Sequence, residues 1–351
     1  MKLESVLGLK AELRSELQPA IPAMPAVFSR TAGPDARRSA FAARVSATHT
    51  RSPKSEVVAL GVAAGRTRND FKLGARIHVA GPRGRALAKS INERARGEAD
   101  VRIVPKVRKR TPTPAWFRRR RRPLEAGVSC GHFKITAGTL GFIAEDKDAF
   151  YILSNNHVLA NVNTAQPGDP IVQPGPDDVT GNFRVSSRTL IGVLDRFVPI
   201  SFQRSNVVDC AVAEVLPDLD FYAGWTESLP GLVRGVRSVT VGDLGRPVSK
   251  AGRTTGVTRG TINQVNIDRL RVDLGEEGSP MDALFSDQIE IVGAGNRAFS
   301  DGGDSGSLIV SDDGFARALL FCGGPDENGN DLTYANPIDK VLEKLGVTLV
   351  V

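Results

Sequence analysis

Apolar and polar positions alternate along this chain in short runs, and the runs change character about a third of the way along. Residues 1–16 carry Leu3, Val6, Leu7, Leu9 and Leu13 at helical spacing, which predicts a short amphipathic helix that either caps the folded body or docks elsewhere. Residues 17–54 are rich in Pro, Ala, Ser and Arg and show no period, so 1–54 reads as a helix followed by a loosely ordered linker. Between 55 and 110, Val57–Val62 and Ala75–Val79 read as strands, Arg85–Glu93 as a helix and Ala99–Pro105 as a third strand. That order predicts a small α+β (ββαβ) domain. Residues 111–126 hold Pro112-Thr113-Pro114 and Arg118–Arg122 and read as a Pro/Arg-rich linker. From 127 to 351 the signal is strand-like, as in Phe150-Tyr151-Ile152-Leu153 and Val257–Ile262, broken by turn residues such as Asn328-Gly329.

Three short motifs in this last region carry chemistry. They are Ser154-Asn155-Asn156-His157-Val158, Val208-Asp209-Cys210-Ala211-Val212 and Gly303-Asp304-Ser305-Gly306-Ser307. A serine hydroxyl is a poor nucleophile near neutral pH unless a base lies within reach and a third group orients that base. His157 follows an apolar run that can deliver it from a strand end. Asp209 lies in an apolar segment where an unpaired carboxylate would be costly, and a histidine partner removes that cost. Ser305 sits between glycines that allow a tight turn. The order His, Asp, Ser, with gaps of 52 and 96 residues, is that of the chymotrypsin-type enzymes and differs from the subtilisin and α/β-hydrolase orders.

In these motifs and the wording around them, the chain from about Gly127 to about Leu345 resembles the chymotrypsin/trypsin-like serine proteases. Ile135-Thr136-Ala137-Gly138-Thr139 and Tyr151–His157 are worded as in a soluble bacterial branch that is similar to the plant Narrow-leaf type proteases. Ser307 stands where the family usually has glycine. The resemblance implies a mainly β fold, a chymotrypsin-like double β-barrel over 127–351, preceded here by the small α+β unit. It implies peptide-bond hydrolysis through an acyl-enzyme, with Ser305 as nucleophile, His157 as base and Asp209 behind it. The Gly303 and Ser305 amides would form the oxyanion hole. No cofactor or metal is required, and the partner is a protein or peptide substrate.

Pocket residues are less legible. Trypsin-type members hold an acid six positions before the nucleophile, where this chain has Phe299. That argues against a cation-seeking pocket, although Asp301 lies nearby and could supply charge by another geometry. Asp304 has no evident activation junction near Gly127 to pair with. Arg297, or an amine released by processing within the arginine run, would be its partner.

Composition adds two constraints. Three cysteines in 351 residues do not make a disulfide framework. With neither a secretory signal nor a run of 18 apolar residues, a reducing cytoplasm is the simplest location, with no membrane partner. The net charge of +7 hides a split, since residues 1–125 hold 28 basic against 10 acidic residues. The basic front suggests attraction between the two halves, or an acidic or polyanionic partner. The arginine run is open to three readings: a solvated linker, a processing site or a polyanion patch. Asp326–Asp331 lacks the glycine and glutamate of a calcium loop. A second class of function remains, a silent protease-fold scaffold, and a third is polyanion binding through the front.

Overall fold

The computed structural model of the chain describes residues 1–17, 58–67, 69–79, 81–104, 115–224, 233–275 and 279–351. Most of the stretch read as a linker after the first helix, and Pro112-Thr113-Pro114, lie outside the described residues.

Strand Phe150–Ser154 shows how the core is partitioned. Successive strand side chains point to opposite faces. Tyr151 and Leu153 join one apolar cluster while Ile152 joins another. Ala211–Val215 pairs antiparallel with it, Ala211 opposite Ser154, and its residues divide in the same way between Val212 and the flanking Ala211 and Ala213. These two strands lie centrally in an eight-stranded sheet that runs from Thr348–Leu349 through Phe142–Glu145, this pair, Leu190–Phe197, Pro170–Val172 and Ser129–His132 to Gly138–Thr139. The sheet curls into a half-barrel with its own apolar interior.

The second barrel is a closed ring of six strands. Pro247–Gly252 pairs with Leu308–Ser311, then come Phe315–Pro325, Asp331–Pro337, Gln288–Gly293 and Gly256–Asp268, and the last pairs back with the first. A shared cluster seals the two barrels together, with Phe142, Leu153 and Val212 from one side and Ala251, Leu308 and Leu319 from the other. Helix Ile338–Leu345 adds its buried Ile338, Val341, Leu342 and Leu345 to that seam. The fold is therefore mainly β, the chymotrypsin-like double barrel.

The front of the chain is built onto the second barrel. Val58–Ala64 pairs antiparallel with the far end of Gly256–Asp268, Leu60 opposite Asp268. Phe71–Ile77 and Ala99–Ile103 continue the same sheet, and helix Gly81–Arg94 lies between them in sequence. Helix Leu3–Leu17 seats on this sheet. Val6 and Leu13 are buried in a cluster that runs without a break from Val58 and Leu73 into Ile262, Ile291 and Leu320 of the barrel, and Lys10 Nζ pairs with Asp268 at 3.0 Å. No helix among the described residues is long and apolar enough to cross a membrane.

The arginine run is tied to the first barrel through the buried Gln173. Its amide nitrogen donates to Arg119 O at 2.8 Å, and its oxygen accepts from Arg121 N at 3.0 Å and Arg122 Nη1 at 2.6 Å. Arg121 stacks over Trp116 at 4.0 Å. Only Arg119 and Arg120 of the five are exposed.

Candidate active site

His157 lies on the single turn Asn156–Leu159 that follows strand Phe150–Ser154. The register of that strand with Ala211–Val215 brings the chain before Ala211 alongside it. Asp209 is fully buried, and four contacts fix it. Its Oδ2 lies 2.5 Å from His157 Nδ1, and its Oδ1 accepts the His157 backbone N–H at 3.2 Å. Its carbonyl accepts from Asn155 Nδ2 at 2.7 Å, and its own N–H donates to Asn336 Oδ1 at 2.9 Å. A carboxylate at Nδ1 places the proton there, so Nε2 is left as an acceptor.

Ser305 comes from the loop that leads into Leu308–Ser311 of the second barrel. The loop abuts the strand that delivers His157. A Cβ on Gly306, which has φ 96°, would run into Ser154 Oγ and Thr139 O. Thr139, from the edge of the first barrel, straps the loop. Its N–H donates to Ser305 O at 2.9 Å, its hydroxyl donates to Gly303 O at 2.7 Å, and its carbonyl accepts from Ser154 Oγ at 2.7 Å. Ser305 Oγ donates to Phe321 O at 3.2 Å. Among the described residues no hydrogen bond joins it to His157. Phe321 precedes Cys322, whose thiol is pushed well up by burial and by the Asp209 carboxylate.

The backbone of the loop has a further property. Asp304 N bonds to Asp301 O, Gly306 N to Leu320 O and Ser307 N to Asp304 O. Among the described residues no acceptor meets the N–H of Gly303 or of Ser305. Two N–H groups without an internal acceptor, one on either side of Asp304, are available to an incoming anion. Gly303 has φ 95°, a conformation glycine adopts at no steric cost.

Asp304 faces away from this pair into the barrel. It accepts from Thr254 N at 2.7 Å, Thr255 Oγ1 at 2.7 Å and Asp301 N at 2.9 Å. Its charge is met by Lys250 Nζ at 3.2 Å. Arg297, expected as a partner, is exposed. Burial holds the Lys250 pKa down, and the Asp304 carboxylate opposes that shift. Next along the chain, Arg253 bridges the barrels, with its Nε 2.5 Å and Nη2 2.7 Å from the Asp178 carboxylate.

Phe299 is fully buried within the second-barrel cluster, its N–H on Asp331 Oδ2 at 3.1 Å and its carbonyl accepting from Thr258 Oγ1 at 2.6 Å. Asp301 is partly buried, and its Oδ1 accepts the Gly302 N–H at 2.7 Å. Sequence reasoning assigned no role to Thr139, Lys250, Thr254 or Asn336. Lys250 alone carried a usable signal, a cation inside an apolar strand. The others act through backbone contacts that side-chain type does not announce.

Neither a family model nor a curated protein matches the chain. Solved structures that it resembles are bacterial serine proteases of the chymotrypsin type. Protease A of Thermobifida fusca is 17% identical with a TM-score of 0.44, over 64% of this chain and 97% of that one. The chymotrypsin of Cellulomonas bogoriensis is 16% identical with a TM-score of 0.43, over 64% and 97%. The MamO protease domain of Magnetospirillum magneticum is 12% identical with a TM-score of 0.34, over 62% and 96%.

Proposed function

We propose that this protein is a serine endopeptidase that hydrolyses peptide bonds through an acyl-enzyme on Ser305. The observation that carries the reading is the buried His157–Asp209 pair at 2.5 Å, with Ser305 brought up to the strand that delivers it. Ser305 Oγ turns from Phe321 O and attacks the scissile carbonyl. His157 Nε2 takes the hydroxyl proton and later passes it to the leaving amine. Asp209 holds the tautomer and stabilises the imidazolium. The N–H groups of Gly303 and Ser305 receive the oxyanion. Catalytic hydrogen bonds are often long before substrate binds and tighten in the complex, which accommodates the resting position of the Ser305 hydroxyl. The substrate is a protein or peptide. Three free, buried cysteines support a reducing compartment such as the cytoplasm.

One observation favours a second reading, a protease-fold scaffold without turnover: the Ser305 hydroxyl is engaged by Phe321 O and not by His157. A fluorophosphonate probe separates the two. Under the first reading wild type is labelled and Ser305→Ala is not. An unlabelled wild type that also leaves a peptide library intact supports the scaffold.

A further inference from the structure

Two buried hydroxyls lie behind the Gly303–Ser305 loop and take no part in the scheme above. Thr254 Oγ1 donates to Gly302 O at 2.6 Å, and Ser307 Oγ donates to Asp304 O at 2.6 Å. Thr254 is 1% exposed and Ser307 0%. Each of those carbonyls shares a peptide unit with one of the two unpaired donors. Gly302 C=O is fused to the Gly303 N–H, and Asp304 C=O to the Ser305 N–H. A peptide group is planar and trans. A bond that fixes the direction of its C=O therefore fixes the N–H on the opposite side. Each of the two donors is aimed by a hydroxyl bound to the far end of its own peptide plane.

We propose that Thr254 and Ser307 are positioning residues for the oxyanion site, latching its two peptide groups in the donating orientation and polarising them. The proposal rests on the reading of Ser305 as nucleophile. The latch has work to do at Gly302-Gly303, because a peptide between two glycines meets little steric resistance to turning over. A turned-over peptide would present a carbonyl to the developing negative charge. Hydrogen bonding at a C=O also strengthens the N–H of the same peptide as a donor. Both hydroxyls are themselves held. Thr254 N is bound to Asp304 Oδ1 at 2.7 Å, and its neighbour Arg253 is forked onto Asp178 of the other barrel. Ser307 Oγ lies against Gly252, where a Cβ would come within 2.6 Å, so glycine at 252 leaves room for the hydroxyl.

The two latches are unequal. Asp304 O also accepts the Ser307 N–H at 3.0 Å. The Thr254 hydroxyl is the only donor to Gly302 O among the described residues. Deleting the Thr254 hydroxyl should therefore cost more than deleting that of Ser307.

The test measures kcat, KM and the affinity for a peptidyl boronate in Thr254→Val, Thr254→Ser, Ser307→Ala and wild type, with thermal midpoints alongside. Outright loss of an oxyanion donor costs about 10²–10³ in kcat, and a loosened donor should cost less. Thr254→Val is expected to lose about tenfold or more in kcat and a matching factor in boronate affinity, with KM near wild type. Ser307→Ala is expected to lose less, and Thr254→Ser to recover most of the activity. Wild-type kcat and boronate affinity in Thr254→Val would overturn the proposal. So would a serine variant as impaired as the valine one, since packing would then be the cause. If Thr254→Val does not fold, Ser307→Ala decides, and unchanged boronate affinity there overturns the proposal. A wild type that neither labels at Ser305 nor cleaves peptides refutes the nucleophile reading, and the latch falls with it.

Discussion

Lys250 Nζ lies 3.2 Å from the Asp304 carboxylate, with both side chains fully buried. The pair joins strand Pro247–Gly252 to the loop that carries Ser305, so the charge that holds this loop is internal to the second barrel. Removing one member of a buried pair strands the other charge and costs roughly 3–5 kcal/mol. Lys250→Met should therefore melt at lower temperature. Its fluorophosphonate labelling should also fall, because Asp304 would no longer anchor the turn between Asp301 and Ser307. Calorimetry and labelling rates check this. A variant with wild-type labelling would show that Asp304 is held well enough by its N–H and hydroxyl donors alone.

Asp209→Asn tests the imidazole's orientation. The amide is isosteric and can still meet the His157 backbone N–H at Oδ1, but its nitrogen side would favour a proton on Nε2. That tautomer cannot accept from Ser305. A fall in kcat of up to about 10⁴ is expected with little change in KM or stability. Steady-state kinetics at several pH values provide the measurement. Near-normal turnover would mean that His157 does not serve as the base.

The barrel strands and the three motifs were legible because their signals are local. Phe150–Ser154 is an apolar run with a histidine three residues beyond its end. Asp209 is a carboxylate that an apolar segment could hold only with a partner. The partners of the loop were not legible. Lys250 lies 54 residues before Asp304 in sequence, and only the pairing of Pro247–Gly252 with Leu308–Ser311, Lys250 opposite Ile309, brings the two together. Thr139 and Asn336 act on backbone atoms, an interaction that leaves no pattern in side-chain type. The arginine run read as a charged stretch of uncertain role because the residue that organises it, Gln173, sits 51 residues beyond Arg122.

Arg76 tests whether the front segment completes the fold or restrains the proposed protease. Its guanidinium meets Glu290 at 2.7 and 2.6 Å and Asp100 at 2.7 Å. Arg76 and Glu290 are both fully buried, one in the front sheet and one in the barrel. Burying these charges is tolerable only while they remain paired. Arg76→Met should destabilise the whole protein by roughly 3–5 kcal/mol, and Arg76→Met/Glu290→Gln by less than the single change. Denaturant unfolding followed by tryptophan fluorescence reads both. A removable inhibitor would behave differently, with Arg76→Met gaining activity. Lower stability without a gain in labelling is the expected outcome.

His78 supplies a pH dependence. Its Nδ1 lies 3.0 Å from Val104 O, and its buried Nε2 has no hydrogen-bond partner among the described residues. Burial lowers its pKa to about 4, against the Val104 hydrogen bond, which pulls it up. The unfolded chain therefore takes up a proton near pH 6.5 that the folded chain refuses until about pH 4. Between those values the unfolded state binds more protons, so stability is fully present above the upper limit and declines as pH falls through the window. The loss can reach about 3 kcal/mol from this one group. Urea midpoints of wild type and His78→Gln, compared from pH 7.5 to 4, isolate it. The wild-type curve should fall more steeply through the window. Parallel curves would mean that the imidazole is hydrated in solution.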